Sequence, residues 1–353
     1  MAHTTYDIVV GSGSLQYLEA HLERAGLTGP FLIVSQPRIL RVSARLLPKR
    51  LPTVLIPEGE RAKSFATVTR LLQRFSELHM TRQSTVIAFG GGVVGDVTGF
   101  AASIYMRGIS VVQAPTTLLA QVDSSIGGKT GVNFLTVKNL VGAFHQPRLV
   151  LADIATLRTL PIREYRSGLY EALKYGIICD RSLFDNFSSN LGRILERDSE
   201  TVEHLVARCA AIKGDVVSRD EKEGDLRRIL NFGHTVGHGL EAAAGFRRLK
   251  HGEAVGYGMI AAVRISRALG RLNEEEASQV ESVIRAIGPL PPLSGLKVKS
   301  VMDALQHDKK VRDGAVHFIL PREIGRVEIT RDVPVQLVRD TVKVLVDANK
   351  VRR

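Results

Sequence analysis

The spacing of short apolar runs along the chain constrains its fold more than any other feature of the sequence. In roughly the first 160 residues, runs rich in β-branched residues alternate with segments of helical periodicity. We predict strands at 6–10, 31–35, 53–56, 85–89, 110–114 and 149–152, and helices at 65–78 and 95–103. Strands that alternate with helices favour an open, mainly parallel α/β sheet.

After Pro161 the pattern changes to one of successive helices. We predict helices at 162–179, 198–217, 231–245, 253–269 and 274–287, with a strand-like patch at 314–320 and 326–329. The predicted fold class is therefore an α/β domain over residues 1–161 followed by an all-α, mostly helical domain over residues 162–353. A chain of 353 residues is long enough for two hydrophobic cores.

Composition excludes several classes of protein. No apolar run reaches the roughly 20 residues of a membrane helix, and the N-terminus lacks the basic and apolar regions of a signal peptide. Trp is absent and aromatic residues make up 5%, so a base-stacking surface is poorly supplied. Cys179 and Cys209 provide no disulfide framework. We expect a cytoplasmic protein that binds no membrane and no nucleic acid; its net charge of +12 fits either a generally basic surface or attraction of an anionic substrate.

A glycine-rich turn follows the fourth predicted strand. Residues 90–96, GGGVVGD, satisfy G-x-G-x-x-G between a strand and a helix, where backbone N–H groups can approach a pyrophosphate. The acid that usually follows about 20 positions later is missing, because the next acid after Asp96 is Asp123. The turn predicts a nucleotide site, and a glycine turn used only for packing is the alternative.

The loop after the next strand combines glycines with a cation. Residues 123–130, DSSIGGKT, are typical of a backbone nest for an anionic oxygen, with Lys129 as a mobile cation. The four-residue spacer of a P-loop is absent, which excludes a P-loop ATPase. Nearby loops add Arg107, Lys138 and Asn139. A charged turn at 57–64, PEGERAKS, taken alone indicates a solvated loop with a helix cap.

Histidines and acids cluster in the second half of the chain. His234, His238 and His251 are three of only 10 histidines, and with neighbouring acids they suggest a metal site. Spacing alone selects His234 and His238, which share a helix face, and a pair of polar core histidines is the alternative. Glu171 and Lys174 form either a surface ion pair or a buried pair whose carboxylate needs a partner or a metal.

Six segments, taken in order, resemble the 3-dehydroquinate synthases of the sugar-phosphate cyclase superfamily. They are residues 90–108, 115–131, 138–147, 171–175, 226–241 and 251–259, and together they extend along nearly the whole chain. The resemblance implies a homodimeric enzyme with a Rossmann-like domain that binds NAD and a helical domain that binds a metal.

Two cofactors follow from this resemblance, NAD and one divalent metal ion, either zinc or cobalt. The implied metal ligands are Glu171, His234 and His251, which moves His238 from the metal, where spacing placed it, to the substrate. Where the family often has an acid for the adenine ribose, this sequence has Ser35 and Gln36. The implied NAD-binding residues are Glu60, Lys63, Gly91, Gly92, Val93, Asp96, Thr116, Thr117, Lys129, Lys138 and Thr159.

The implied reaction converts 3-deoxy-D-arabino-heptulosonate 7-phosphate into 3-dehydroquinate and phosphate, a step of the shikimate pathway to the aromatic amino acids. It proceeds by transient oxidation with NAD, β-elimination of phosphate, re-reduction and intramolecular aldol closure, so the enzyme is a carbon-oxygen lyase. The implied catalytic residues are Arg107, Asp123, Lys129, Asn139, Lys174 and His238. The implied substrate-binding residues are Lys138, Lys213, Arg227, Asn231 and one lysine of the pair Lys309 and Lys310. A substrate with a carboxylate and a phosphate explains why cations converge.

Other functions remain open at the level of sequence. A 2-deoxy-scyllo-inosose synthase would share the fold and cofactors but act on a sugar without a carboxylate, and Arg227, Asn231 and His238 argue against it. A polyol dehydrogenase of the iron-alcohol and glycerol dehydrogenase group would release NADH and would not need the cations around Lys129. A nucleic-acid-binding protein is compatible with the net charge alone.

Overall fold

The computed structural model describes residues 5–48, 51–135, 137–246, 248–311 and 316–347, without the side chains of 307–311. The chain divides into two compact units, each described here by itself. The first contains Met1–Pro161 and Arg197–Val217, and the second contains Ile162–Glu196 and Ser218–Arg353. The first boundary coincides with the predicted one, whereas Arg197–Val217 lies with the first unit and not with the helical part of the sequence that surrounds it.

The first unit is built on a six-stranded sheet. Its strands and helices are β1 (Asp7–Gly11), α1 (Leu18–Arg24), β2 (Phe31–Ser35), α2 (Pro37–Ser43), β3 (Thr53–Leu55), α3 (Phe65–Glu77), β4 (Thr85–Gly90), α4 (Gly92–Ile104), β5 (Ser110–Pro115), β6 (Lys129–Phe134), β7 (Val137–Phe144) and β8 (Leu149–Asp153). The strand order is β3-β2-β4-β5-β8-β1, and every neighbouring pair is parallel. This is the Rossmann-like arrangement that the alternating pattern predicts.

Burial on both faces explains why the central strands are continuously apolar. All residues of β4 and β8 are buried, as expected for parallel strands covered by helices. One apolar cluster includes Phe75 and Phe100, and a second includes Leu18 and Phe89. The chain changes direction along the sheet between β2 and β4, and ligands of such sheets bind at the carboxyl ends of strands beside that point. The glycine-rich turn follows β4 at this place.

An antiparallel hairpin of β6 and β7 lies outside the main sheet and was not predicted. It packs on α4 so closely that a Cβ on Gly99 would lie 2.4 Å from Cγ2 of Thr130. The N–H of Asn133 in β6 donates to the carbonyl of Lys63 at 3.0 Å. The hairpin therefore brings residues 129–144 next to the turn before α3 and to α4.

Helices dominate the rest of the chain, which confirms the predicted fold class. The remaining elements are α5 (Ile162–Cys179), α6 (Arg181–Ser189), α7 (Leu191–Leu195), α8 (Ser199–Arg219), α9 (His234–Ala243), α10 (His251–Ala268), α11 (Glu274–Ala286), α12 (Val298–Val311), β9 (Phe318–Glu323), β10 (Arg326–Thr330) and α13 (Val335–Asp347). Strands β9 and β10 form an antiparallel hairpin. Among the described residues, no helix combines the length and apolarity needed to cross a bilayer.

Glycines let three helices of the second unit approach one another closely. A Cβ on Gly252 of α10 would lie 1.9 Å from the carbonyl oxygen of Ser167 in α5. A Cβ on Gly258 of α10 would lie 1.7 Å from the carbonyl oxygen of Gly233, the residue before α9. These contacts place the first residues of α9 and α10, both histidines, against the middle of α5.

Candidate active site

The turn between β4 and α4 has the geometry of an anion site. Gly91 precedes α4 in an extended conformation without a side-chain cap, and the first N–H groups of a helix have no partner within the helix. A Cβ on Gly91 would lie 3.0 Å from Cγ2 of Thr117, and one on Gly92 would lie 2.8 Å from Oγ of Ser124. Glycine at these positions, with Val93 next in the helix, leaves the backbone accessible to a phosphate group.

Three predicted NAD-binding threonines follow neighbouring parallel strands. Thr116 and Thr117 come directly after β5, and the N–H of Thr116 donates to the carbonyl of Gly90 at 2.9 Å. Thr159 ends the 3-10 helix Ile154–Thr159 that follows β8. Because β5 lies between β4 and β8, these threonines and the glycine turn lie along one edge of the sheet.

A polar network joins the turn before α3, helix α4 and the hairpin. The ammonium of Lys63, whose side chain is 6% exposed, lies 2.5 Å from Oδ2 of Asp96 and also donates to Oδ1 of Asn139. Asn133 donates to Oε1 of Glu60 at 2.9 Å and accepts from the N–H of Asn139 at 2.9 Å. Burial raises the pKa of Asp96, and the charge of Lys63 opposes this rise. Sequence reasoning missed Asn133, since the hairpin that positions it was not predicted.

The groups predicted to bind phosphate lie in the hairpin of β6 and β7, in the turn before it and in the turn after α4. Gly127 and Gly128 have φ values of 92° and 67°, a conformation that favours glycine and supports the predicted backbone nest. Lys129 begins β6, and Lys138 lies in β7 of the same hairpin. Arg107 is exposed in the turn after α4, with φ of 70°.

Asp123 and Lys213, both predicted to act on the substrate, contact each other. The Lys213 ammonium donates to the carbonyl oxygen of Asp123 at 2.6 Å and also to its carboxylate. Lys213 lies in the part of α8 that belongs to the first unit, and its side chain is buried. Helix α8 therefore adds a cation to the sheet domain from a segment 90 positions away in sequence.

Helices α5, α9 and α10 bring four predicted site residues together. Glu171 is fully buried, and its Oε1 lies 3.2 Å from Nε2 of His251 and 3.5 Å from Nε2 of His234. Nitrogen atoms of His234, His238 and His251 all lie within 4.8 Å of one another. The structure therefore gathers both the histidine pair that spacing selects and the three ligands that the resemblance implies.

The orientation of two histidine rings fits metal binding at Glu171. Nδ1 of His234 lies 3.1 Å from the carbonyl oxygen of Phe232, and Nδ1 of His251 lies 3.4 Å from Oε2 of Glu241. Both acceptors favour a proton on Nδ1, so each Nε2 is directed towards the same oxygen of Glu171. Histidine ligands of metals commonly donate through one nitrogen and coordinate through the other.

Electrostatics at this cluster are dominated by burial and by Lys174. The Lys174 ammonium lies 2.6 Å from Oε2 of Glu171, yet neither oxygen of Glu171 has a hydrogen bond of good geometry from the described residues. Burial raises the pKa of Glu171, but Lys174 and the two nearby histidines outweigh it and hold the pKa well below its usual value. A carboxylate that is ionised, buried and poorly hydrogen-bonded suits a metal ion.

The pKa values of His234 and His251 are shifted in opposite directions by this environment. Burial lowers the pKa of His234 to about 3, although Glu171 opposes the shift. Burial also disfavours the charged form of His251, but the neighbouring carboxylates of Glu171 and Glu241 outweigh it and raise the pKa of His251 to about 10. The two carboxylates thus favour positive charge at His251, as they would favour a bound cation.

Arg227 and Asn231 lie in the 3-10 helix directly before Gly233. The buried Arg227 donates to the carbonyl of Glu221 at 2.6 Å, and Asn231 donates to Oε1 of Glu223 at 3.0 Å. Asp220 orders the preceding loop by accepting three backbone N–H groups, those of Gly224, Asp225 and Arg227. Hydrogen bonds to these groups, that of Arg227 first, lower the pKa of Asp220.

The side chains of two predicted substrate-binding lysines lie outside the part of the structure that is described. Lys309 and Lys310 fall in α12, but their side chains are not described. The expectation that one of them faces the substrate therefore stays a prediction.

Comparison of the sequence with known proteins identifies the family of this chain. Residues 53–167 match the family model for the N-terminal part of 3-dehydroquinate synthase, and residues 168–311 match the model for its C-terminal part. The chain is 43% identical over 352 residues to the 3-dehydroquinate synthase of Rippkaea orientalis, covering 97% of this chain and 96% of the relative. The chain belongs to the 3-dehydroquinate synthase family. A family member from Koribacter versatilis is 52% identical over 276 residues, covering 78% of this chain and 75% of the relative.

Solved structures extend the similarity to other sugar-phosphate cyclases. ValA, a 2-epi-5-epi-valiolone synthase from Streptomyces hygroscopicus subsp. jinggangensis 5008 with NAD⁺ and Zn²⁺ bound, has a TM-score of 0.89 and 31% identity, covering 99% of this chain and 98% of ValA. A 2-deoxy-scyllo-inosose synthase complexed with carbaglucose-6-phosphate, NAD⁺ and Co²⁺ has a TM-score of 0.86 and 27% identity, covering 96% of each chain. A probable glycerol dehydrogenase from Sinorhizobium meliloti 1021, at 17% identity and a TM-score of 0.69, covers 98% of this chain and 97% of its own and shares the fold alone.

Proposed function

We propose that this chain converts 3-deoxy-D-arabino-heptulosonate 7-phosphate into 3-dehydroquinate and inorganic phosphate, as a lyase that depends on NAD and a divalent metal. Curated 3-dehydroquinate synthases at 43% and 52% identity support the activity. The observation on which the proposal depends most is the arrangement of Glu171, His234 and His251, with two Nε2 atoms directed at one buried carboxylate oxygen.

The metal would be held by Glu171, His234 and His251, and the donor set fits zinc or cobalt. When bound, such an ion supplies Lewis-acid chemistry that acidifies an alcohol of the substrate. Lys174 holds the Glu171 carboxylate from the side opposite the histidines, since it contacts Oε2 while they contact Oε1. His238 would then bind the substrate, and its ring lies close to that of His234.

NAD would be held along the carboxyl edge of β4, β5 and β8. When bound, NAD supplies reversible hydride transfer and is regenerated within each turnover. The glycine turn and the first turn of α4 would bind the pyrophosphate, and Lys63 is fixed beside them by Asp96. Gln36 is buried and donates to the carbonyl of Pro57 at 2.7 Å, so an amide stands where the family often has an acid, and its contact with the adenine ribose stays a prediction.

The substrate would be bound by cations that the chain already holds in place. Lys213 is fixed by Asp123, and Arg227 by the carbonyl of Glu221. Fixed groups lose less conformational freedom when a ligand binds, which favours productive orientation. We propose that Lys129 and Arg107 contact the phosphate and that Asn139 and His238 form hydrogen bonds that guide proton movement. Lys138, Asn231 and a lysine of the Lys309 and Lys310 pair complete the proposed binding set.

Phosphate release from two substrates distinguishes a 3-dehydroquinate synthase from a 2-deoxy-scyllo-inosose synthase. Purified chain with NAD and zinc or cobalt is expected to release phosphate from 3-deoxy-D-arabino-heptulosonate 7-phosphate and not from glucose 6-phosphate. Replacing Arg227 by Met should raise the KM for the first substrate, since a carboxylate loses a charged partner. Release from glucose 6-phosphate alone would favour a 2-deoxy-scyllo-inosose synthase.

We also propose that the chain works as a cytoplasmic homodimer, as the resemblance implies. Its two cysteines, Cys179 and Cys209, are free thiols, which suits a reducing compartment. Sedimentation at micromolar concentration should give twice the single-chain mass of 38.6 kDa. A species of single-chain mass under assay conditions would contradict the dimer without affecting the proposed chemistry.

A further inference from the structure

Glu241 is a buried carboxylate beside the proposed metal ligands, and the reaction proposed above does not use it. It lies in α9, two helical turns after His234, and its side chain is 8% exposed. Its Oε2 lies 3.4 Å from Nδ1 of His251 in α10. Burying a charge costs free energy unless a partner compensates it, and His251 is a partner that stands directly in the proposed metal site.

This contact determines which nitrogen of His251 faces Glu171. A carboxylate accepts hydrogen bonds, so Nδ1 of His251 holds the proton and Nε2 is directed at Oε1 of Glu171, 3.2 Å away. His234 is oriented in the same way, but by the backbone carbonyl of Phe232. Among the described residues, a side chain orients His251, whereas a backbone carbonyl orients His234. The orientation of His251 can therefore be tested by substituting Glu241.

The negative charge of Glu241 also affects how strongly His251 can bind a metal ion, because the charge of the proposed carboxylate ligand, Glu171, is partly neutralised. The ammonium of Lys174, 2.6 Å from Glu171, offsets the negative charge that a divalent cation would meet at this carboxylate. A carboxylate that accepts from the outer nitrogen of a histidine increases the basicity of the coordinating nitrogen. We propose that Glu241 is a positioning residue that orients His251 and strengthens it as a metal ligand; the proposal rests on the metal site proposed above.

Zinc affinity tests this role independently of activity. Glu241→Gln keeps an acceptor oxygen and removes the charge, whereas Glu241→Ala removes both. Competition with a chromophoric chelator should show a Kd for Zn²⁺ about 10–100-fold higher in Glu241→Gln, and at least as high in Glu241→Ala. The absorption spectrum of bound Co²⁺, which reports ligand geometry, should change in Glu241→Ala.

Glu281→Gln, in α11 on another side of α10, is a matched control. Glu281 is also a largely buried acid, 17% exposed, and it pairs with Arg264 of α10 at 2.8 Å. It contacts the helix that holds His251 but not the histidine itself. The zinc Kd of Glu281→Gln should stay within about twofold of the unsubstituted chain.

A double-mutant cycle separates positioning from general destabilisation. If Glu241 acts through His251, most of the effect of Glu241→Gln on the zinc Kd should disappear in a His251→Ala background. An unchanged Kd in folded Glu241→Gln, or an equal loss in both backgrounds, overturns the proposal. If Glu241→Gln does not fold, Glu241→Asp, which keeps the charge but has a shorter reach, takes its place with the same expected coupling. Absence of zinc binding by the unsubstituted chain would overturn the proposed metal site itself, and this inference with it.

Discussion

Glu171 and Lys174 form a buried ion pair at the centre of the candidate site. Their side chains are 0% and 1% exposed, and the two charged atoms lie 2.6 Å apart. Two charges are costly to bury, but each compensates the other, and removal of one leaves an uncompensated charge. The pair thus couples the stability of the second unit to the binding of any cation at Glu171.

Replacing Lys174 by Met tests this coupling. Without zinc, the free energy of unfolding should fall by about 3–5 kcal/mol, because Glu171 remains buried without its partner. Saturating zinc should raise the melting temperature more in Lys174→Met than in the unsubstituted chain, because the ion replaces the lost charge. Urea unfolding and thermal melting, with and without zinc, provide the two measurements.

The exposed pair of Arg74 and Glu77 supplies the control for this prediction. Both side chains are about half exposed, so Arg74→Met should cost less than about 1 kcal/mol. A similarly small loss in Lys174→Met, or an equal effect of zinc on both chains, would contradict the account.

Sequence reasoning found the histidines of the site but not what orients them. His234, His238 and His251 stand out because the chain has few histidines. Spacing favours His238 over His251, since residues four apart share a helix face whatever the tertiary contacts are. Glu241 shares that face too, seven positions after His234, but nothing in the residue pattern distinguishes it from a surface acid. The carbonyl of Phe232 is backbone, and no residue pattern indicates its role.

At the scale of secondary-structure elements, the close contact between α10 and α5 depends on a glycine in α10. Gly252 lies between His251 and the capping Glu253, and its N–H donates to Oγ of Ser167 at 3.0 Å. The space that a Cβ would need is occupied by the Ser167 carbonyl. Because Glu171 lies one turn after Ser167, this contact sets the distance between His251 and Glu171.

Gly252→Ala should therefore disrupt both the fold and the metal site. A Cβ placed 1.9 Å from a backbone oxygen forces the helices apart, and we expect a loss of about 3 kcal/mol or more together with much weaker zinc binding. Gly192→Ala in α7 is the control, because a Cβ there meets nothing within 4 Å, and it should be neutral or slightly stabilising. Equal melting temperatures for the two variants would contradict this explanation.

Asp220 offers a test that depends on pH. Asp220→Ala removes the acceptor for three backbone N–H groups and should destabilise the chain by about 1 kcal/mol at pH 7, as the loss of a helix cap does. Hydrogen bonds lower the pKa of Asp220 in the folded chain. Its contribution is therefore complete above the ordinary pKa of about 3.9 and is lost as the pH falls through the lower folded value.

Unfolding free energies measured between pH 7 and pH 3 check this prediction. The difference between Asp220→Ala and the unsubstituted chain should shrink at the acidic end, because protonation weakens the acceptor in the unsubstituted chain. A difference that is constant, or that grows towards low pH, would contradict the role of the ionised carboxylate.

Elements were predictable where a local pattern determined them. The strands of the sheet are continuous β-branched runs, and β2 was predicted to the residue. The hairpin of β6 and β7 was missed, because its residues are mostly exposed or intermediate and its position is set by contact with α4. Helix α4 begins at Gly92, three residues before the predicted start, since the glycine motif itself forms the first turn.

At the scale of the whole molecule, the two proposed cofactor sites belong to different compact units. Lys63→Ala should weaken NAD binding and leave the zinc Kd unchanged, because it removes a charge only from the first unit. His234→Ala should weaken zinc binding strongly and leave NAD affinity unchanged. Calorimetric titration of each variant with each cofactor measures both effects, and loss of both affinities in either variant would contradict independent sites.

Domain organisation was only partly visible in the sequence. The change from alternating elements to helices near Pro161 is a local feature, so it could be predicted. The position of α8 is not local: Glu203 accepts the N–H of Ser12 at 3.0 Å, and Lys213 contacts Asp123. The apolar face of an amphipathic helix indicates that the helix packs against other elements, but its sequence does not specify which elements these are.

Simultaneous measurement of phosphate and NADH tests the central claim most directly. Purified chain is given 3-deoxy-D-arabino-heptulosonate 7-phosphate, a catalytic amount of NAD and zinc, while released phosphate and NADH absorbance are followed together. We expect many phosphates to be released per NAD with no net NADH, and Glu171→Ala should release no phosphate with or without zinc. Steady accumulation of NADH without phosphate would contradict it and would indicate a dehydrogenase on the same fold.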